Sequence, residues 1–230
     1  MKKIINFLIL TAFSILTLSG CGQTVKQQVS ENLKDTPHQV GLKGQMSASV
    51  MGMELDTSFK DADIVAEVKI REWLGERQKG EELQKTIFRA SLEKIFKNSI
   101  DNNLKEIKLI QDGNSDYTIE NYPLFKNNDR LLLYLKKAVG EGYENTYWIL
   151  GGHTGIFRII NTDGKDYIVK QIGDCPELSE ALISESKDIR RIQETLAKNY
   201  SIEFSNLDNF SPKTYDLAAV ENYINELNNK

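Results

Sequence analysis

The chain is short of the residues that carry most enzyme chemistry and most covalent cross-linking. Its 230 residues include two cysteines, two histidines, two tryptophans and four prolines. No H-E-x-x-H, C-x-x-C or G-x-S-x-G appears, so zinc and serine-hydrolase chemistry have no motif behind them. Carboxylates are plentiful, but no pair stands out as a glycosidase acid and base. Cationic excess is also missing: 29 basic side chains face 33 acidic ones. Nucleic acid would need a basic face, so it is not an expected partner. The longest apolar run, Ile4–Leu18, falls short of the roughly 20 residues of a spanning helix. It is also broken by Asn6, Thr11, Ser14 and Thr17.

That apolar run follows Lys2 and Lys3 and ends in Leu18-Ser19-Gly20-Cys21. A basic start, a greasy stretch and small residues at the cut make a secretory signal. Ending it on cysteine makes the segment resemble the lipobox of bacterial lipoproteins. The resemblance implies that residues 1–20 are a signal peptide and that Cys21 receives a diacylglyceryl group before cleavage. Two acyl chains anchor stably where one alone is marginal. The expected location is the outer face of the cell membrane, with membrane lipid as a partner through Cys21. Gly22, not aspartate, follows the cysteine, so the inner-membrane retention signal of Gram-negative lipoproteins is not there. Loss of residues 1–20 removes two lysines and no acids, leaving 27 basic against 33 acidic groups and a formal charge of −6.

With Cys21 consumed by lipid, Cys175 has no partner for an internal disulfide, and it reads as a small buried hydrophobe. Residues 21–40 are polar and form a lipid-anchored tether, with His38 inside it. Gly22 to Lys34 alone reaches on the order of 20 Å. Met46-Ser-Ala-Ser-Val-Met-Gly-Met reads as a weak strand or a loop. Three methionines suit soft copper(I), but no Cys or His accompanies them, so no metal is expected.

Strand periodicity begins at Asp61-Ala62-Asp63. Ile64, Ala66, Val68 and Ile70 alternate with Glu67, Lys69 and Arg71. Phe88, Ala90 and Leu92 repeat the pattern, as do Ile107 and Leu109. Leu131–Lys136 is a denser apolar strand, followed by Tyr147–Leu150, Gly155–Ile160 and Tyr167–Ile172. Asp163-Gly164 is a tight hairpin signal. Seven strands with turns between them predict an antiparallel sheet closed on itself, or a sandwich. Helical spacing follows: Pro176 opens a helix over Glu177–Asn199 with Asp174 near its cap, and Tyr215–Leu227 forms a second. The expected fold class is therefore α+β, mainly β. A small closed antiparallel OB-like barrel (41–172) is followed by a C-terminal helical segment (173–230) packing on it.

The phrases Asp61-Ala62-Asp63-Ile64-Val65, Leu92-Glu93-Lys94-Ile95-Phe96-Lys97, Glu106-Ile107-Lys108-Leu109, Asp129-Arg130-Leu131-Leu132-Leu133-Tyr134-Leu135 and Tyr147-Trp148-Ile149-Leu150-Gly151-Gly152 carry a second resemblance. The stretch from Asp61 to Ile172 is similar to bacterial surface proteins and, more distantly, to netrin-like modules such as the tissue inhibitors of metalloproteinases. That likeness implies a five-stranded OB-type barrel. It does not carry over protease inhibition, which uses a free, disulfide-bonded N-terminal cysteine; the lipobox resemblance implies that Cys21 is acylated here, which leaves no disulfide to form.

One loop stands out for chemistry, Gly151-Gly152-His153-Thr154-Gly155. Gly151, Gly152 and Gly155 would let backbone approach a ligand, with His153 as acid, base or metal ligand. The alternative is a bulged turn between strands with His153 exposed, favoured because no phosphate-binding G-x-x-x-x-G-K pattern is present. Trp73, Tyr134, Tyr143, Tyr147 and Trp148 either line a stacking face or fill the core. The expected function is a non-catalytic surface binding module for an envelope protein or polymer, with no cofactor. The alternative is an envelope-associated enzyme or enzyme subunit with its site near Gly151–Gly155. A solute-binding role would need two α/β lobes, and the strands here do not alternate with helices.

Overall fold

Long alternating stretches become long strands, because each buries one face and keeps its backbone paired on both edges. The computed structural model describes residues 34–37, 40–46, 52–77, 84–119, 122–173, 175–200 and 212–230. All belong to the second of two units, Asn32–Lys230. The signal segment, Cys21, most of the tether with His38, residues 47–51 of the Met-rich stretch and Asp174 lie outside the described residues.

In chain order the first elements are β1 (Gly44–Met46), α1 (Leu55–Asp61), β2 (Ile64–Arg77), β3 (Lys85–Asn98), β4 (Glu106–Asp112) and β5 (Tyr117–Ile119). Next come β6 (Arg130–Lys137), β7 (Thr146–Ile149), a 3-10 turn (Gly152–Gly155), β8 (Ile156–Thr162) and β9 (Lys165–Lys170). A 3-10 segment (Pro176–Ala181), α2 (Ser186–Tyr200), β10 (Lys213–Asp216) and α3 (Leu217–Asn228) complete the chain.

Five strands close a barrel in the order β2-β3-β4-β7-β6 and back to β2. An odd number of strands in a ring cannot alternate direction at every seam. The barrel is accordingly antiparallel except at β4–β7, where Lys108, Leu109 and Ile110 pair in parallel with Thr146, Tyr147 and Trp148. Four register shifts along β2–β3 coil that long hairpin into the closed wall. The eleven positions expected inside, from Ile64, Ala66 and Val68 through Phe88, Ala90, Leu92, Ile107 and Leu109 to Leu131, Leu133 and Leu135, all lie in one buried cluster.

The seven expected strands are all present, but only five close the ring. β6 offers one edge to two partners. Leu135–Lys137 pair with β7, and Arg130–Leu133 pair with β8. The strands β8, β9 and β10 therefore leave the barrel as a wing. Asp163 and Gly164 turn β8 into β9 with positive φ of 52° and 80°, as the hairpin signal predicts.

A second core fills the space between the outer wall of the barrel (Val65, Leu132, Tyr134), one wing face (Phe157, Ile159, Ile168, Tyr215), α1 and α3. A third buries Ile192 and Leu196 of α2 against Ile160, Tyr167 and Val169 on the other wing face.

Two helical expectations are corrected. The single helix over Glu177–Asn199 is broken. Leu178 and Ala181 belong to the second core, whereas Ile192 and Leu196 belong to the third, on the opposite face of the wing. One straight helix cannot reach both faces. The chain crosses between them in extended form, with Leu182 bridging Tyr215 and Ile183 N–H donating to Thr214 O at 2.8 Å. Tyr215 is strand, not helix, because β10 pairs with β9 along Lys213–Asp216. The second helix starts at Leu217, where the Asp216 carboxylate accepts from Ala219 N–H at 3.1 Å as N-cap. Val220, Ile224 and Leu227 bury as the helical spacing predicts.

One buried carboxyl joins α3 to the barrel. Glu67 on β2 is 6% exposed. Burial, reinforced by the hydrogen bond and negative charge of Glu221 on α3, pushes it up to about 7. Arg130 Nη2 lies 3.4 Å from Glu67, and Lys94 Nζ lies 2.5 Å from Glu221. Below about pH 7 the two carboxyls therefore share one proton.

Two outcomes follow from this packing. Leu133→Ala costs about 2–5 kcal/mol in chemical denaturation, while Lys69→Ala stays within about 0.5 kcal/mol; equal costs would contradict the strand phase. The folded protein binds a proton at Glu67 that the unfolded chain releases near its ordinary value, so this group's stabilisation is present below that value and is lost as pH rises through about 7. Melting temperatures across that window should fall for the wild type and change less for Glu67→Gln.

Candidate functional site

The Gly151–Gly155 loop is a product of the shared edge of β6. Ile149 pairs with Leu135 and Ile156 with Leu133, so the residues between them oppose a single residue, Tyr134. Leu150 N–H donates to Tyr134 O at 2.9 Å, and the chain then bulges out as the 3-10 turn. Gly151 takes φ of 76° and Gly152 φ of 54°, the left-handed region that side chains disfavour. Thr154 closes the turn, its hydroxyl donating to Gly151 O at 2.9 Å. A Cβ at Gly155 would stand 1.8 Å from Leu150 O, so glycine is required there by space alone.

The bulged-turn reading thus fits the backbone, but His153 is not exposed as that reading expected. Its side chain is turned inward, 8% exposed, with its ring 5.9 Å from that of Tyr122. The bulge swings the residue off the strand path and against Tyr122 of the barrel's core cluster. Burial lowers its pKa, Asp112 opposes that shift, and Lys170 adds to it. The net effect favours neutral imidazole, one nitrogen donating and one accepting.

His153 and Gly152 line a cleft of about 480 Å³, a size within the range of small-molecule sites. Ile110, Gln111, Asp112, Tyr122, Ala138, Val139, Tyr143, Trp148, Ile149 and Lys85 complete its lining. Val139 is 89% exposed and Trp148 43%, so the cleft presents an aliphatic and an aromatic side chain to solvent. Arg77 stacks 4.2 Å from the centre of the Tyr143 ring and donates through Nη1 to Gly142 O at 3.2 Å, which fixes the loop carrying Tyr143. The cleft charges are paired, Lys85 Nζ to Asp112 Oδ1 at 3.1 Å. The Gln111 amide is already committed, donating to Pro123 O and accepting from Phe125 N–H.

The five aromatics considered as stacking residues divide. Tyr134 and Tyr147 are core, and Trp73 packs half-buried against the barrel interior. Tyr143 and Trp148 reach the cleft. Cys175 is a buried thiol in the second core. Among the described residues no cluster of His, Cys, Asp and Glu has the arrangement of a metal site, and no helix is long and apolar enough to cross a membrane.

Sequence reasoning missed two buried cations. Arg158, 1% exposed, sits at 2.9 Å from Asp129, donates to Gln171 Oε1 at 2.8 Å and lies 4.2 Å from the centre of the Tyr200 ring. Tyr200 in turn donates to Asp129. Lys170, equally buried, donates to the Thr154 carbonyl of the loop and lies over Phe157. Arg158 left a signal: a lone cation inside the apolar run from Gly155 to Ile160.

Gly155→Ala, which forces Leu150 backbone to move, should destabilise by about 1–3 kcal/mol or more. Gly52→Ala, with open space at Cβ, is the matched control and should be near neutral. Equal denaturation midpoints would show that the bulge tolerates a side chain.

No family model matches the chain, and none of the curated proteins does.

Proposed function

We propose that the protein is an extracytoplasmic lipoprotein, held to membrane lipid by a diacylglyceryl group on Cys21, that works as a non-catalytic binding module. Its ligand is an envelope protein or polymer, taken up in the cleft beside Gly151–Gly155. The observation that carries this reading is the cleft itself. It has an aromatic and aliphatic wall with Trp148 and Val139 exposed, standing over paired charges and a neutral imidazole. A surface of this kind gains by covering apolar area, and aromatic anchors dominate such interfaces. The lipobox at Leu18–Cys21 and the polar stretch after it support presentation of the barrel away from the membrane.

His153 favours a second reading. Among the described residues its imidazole makes no side-chain hydrogen bond, and it borders the cleft, which suits an acid or base in an envelope enzyme. Turnover of an envelope substrate that His153→Ala abolishes, in a variant shown to be folded, would establish that reading in place of binding.

The binding reading is tested on cells grown with a fatty-acid analogue. Wild type should take up label, and Cys21→Ala should take up none and keep its signal segment. Protein beginning at Gly22 should still sediment with purified envelope, though more weakly without membrane co-localisation. Val139→Asp, on a side chain that is 89% exposed, should fold normally and sediment less. Equal label in wild type and Cys21→Ala would contradict the anchor, and equal sedimentation of Val139→Asp would contradict the cleft.

A further inference from the structure

The chemistry of the cleft narrows its ligand. A charged ligand finds no unpaired counter-charge among the described lining residues, because Lys85 and Asp112 neutralise each other at 3.1 Å. Arg77 is committed to the Tyr143 ring and to the carbonyls of Glu141 and Gly142. A peptide added as a strand would need an open edge. Here β4 is paired with β3 and β7 on its two sides, and β7 with β4 and β6. A purely aliphatic ligand would cover His153 and the Lys85–Asp112 pair without satisfying them, at a cost in desolvation. The described lining suits best a neutral molecule with one apolar face and a rim of hydroxyls. A sugar ring has that form: its C–H face lies on an aromatic plane while its hydroxyls donate and accept at the edge.

We infer that the cleft binds a neutral sugar unit of an envelope polymer, with Trp148 as the stacking platform, Tyr143 as the side wall, and His153 and the Lys85–Asp112 pair at the hydroxyl rim. The inference rests on the binding-module reading above and gives that site its ligand class. Trp148 suits the role because its ring is 43% exposed while its backbone is fixed from both sides, by Ile110 on β4 and Lys136 on β6. Tyr143 suits the wall because the Arg77 stack already holds it, which lowers the entropy lost on binding. His153 suits the rim because the neutral ring offers both a donor and an acceptor, which matches a hydroxyl.

The test uses full-length lipidated protein in detergent micelles, titrated with chitotetraose and cellotetraose as neutral probes and a galacturonate tetramer as the anionic one. Tryptophan fluorescence and calorimetry report binding. A neutral tetrasaccharide should bind saturably and the anionic one should not. Trp148→Ala should weaken binding by about tenfold or more, and Trp148→Phe, which keeps an aromatic plane, by no more than about threefold. Circular dichroism confirms that both variants fold, and Lys165→Ala on the wing should bind like wild type. If neither neutral tetrasaccharide binds, or if Trp148→Ala binds as wild type does, the sugar assignment is overturned. Envelope sedimentation separates this from failure of the underlying reading. Sedimentation lost in Trp148→Ala without sugar binding removes only the ligand class; sedimentation unchanged in Trp148→Ala removes the cleft as the binding site.

Discussion

The divided edge of β6 is the constraint on which the rest of the structure depends. Residues Leu135–Lys137 close the barrel through β7, and Arg130–Leu133 launch the wing through β8. Both partners belong to one continuous segment, so the chain must dispose of the surplus between Ile149 and Ile156 opposite Tyr134. It does so in a 3-10 turn that needs glycine at both ends, for left-handed φ at Gly151 and for space at Gly155. The same turn carries His153 over the cleft. Barrel closure, wing and candidate site are three consequences of one pairing choice.

The wing obliges the barrel wall to be apolar on both sides. Along β2 and β6, Ile64, Ala66, Leu131 and Leu133 face the barrel interior, while Val65, Leu132 and Tyr134 face the second core under α1 and α3. Arg158 ties the third layer to this frame by linking β8 to Asp129, at the start of β6, and to Tyr200, at the end of α2. A buried ion pair of this kind is weak evidence for net stability, but loss of one partner leaves an uncompensated charge. Its geometric effect is plain: the end of α2 and the residue before β6 meet on one guanidinium.

Much of the barrel was legible in the sequence because period-two alternation reports inward and outward faces directly. The positions from Ile64 to Leu135 read as interior are interior. Connectivity was less legible. Leu131–Lys136 reads as one dense strand, and nothing in its composition says that its edge serves two partners. The break in the helix after Pro176 was hidden for a related reason. Leu178, Ala181, Ile192 and Leu196 share a plausible helical spacing, yet two bury on one wing face and two on the other. Tyr215 read as helix because strand pairing with β9 is a long-range fact. At the site, Gly151–Gly155 announced itself by its glycines. The partners that make it a cleft, Lys85, Asp112, Val139 and Tyr143, are scattered along the chain and meet only through the β4–β7 seam and the loop before β7.

The central proposal is that the cleft beside the Gly151–Gly155 bulge is the surface through which the protein engages the envelope. Amide hydrogen exchange of the protein, with and without purified envelope, tests it most directly, since exchange reports local protection element by element. The account predicts slower exchange on binding in residues 108–112 and 138–153, with α2, α3 and β8–β10 unchanged. Protection confined to α2, α3 or the wing, with the cleft exchanging as in the free protein, would contradict it.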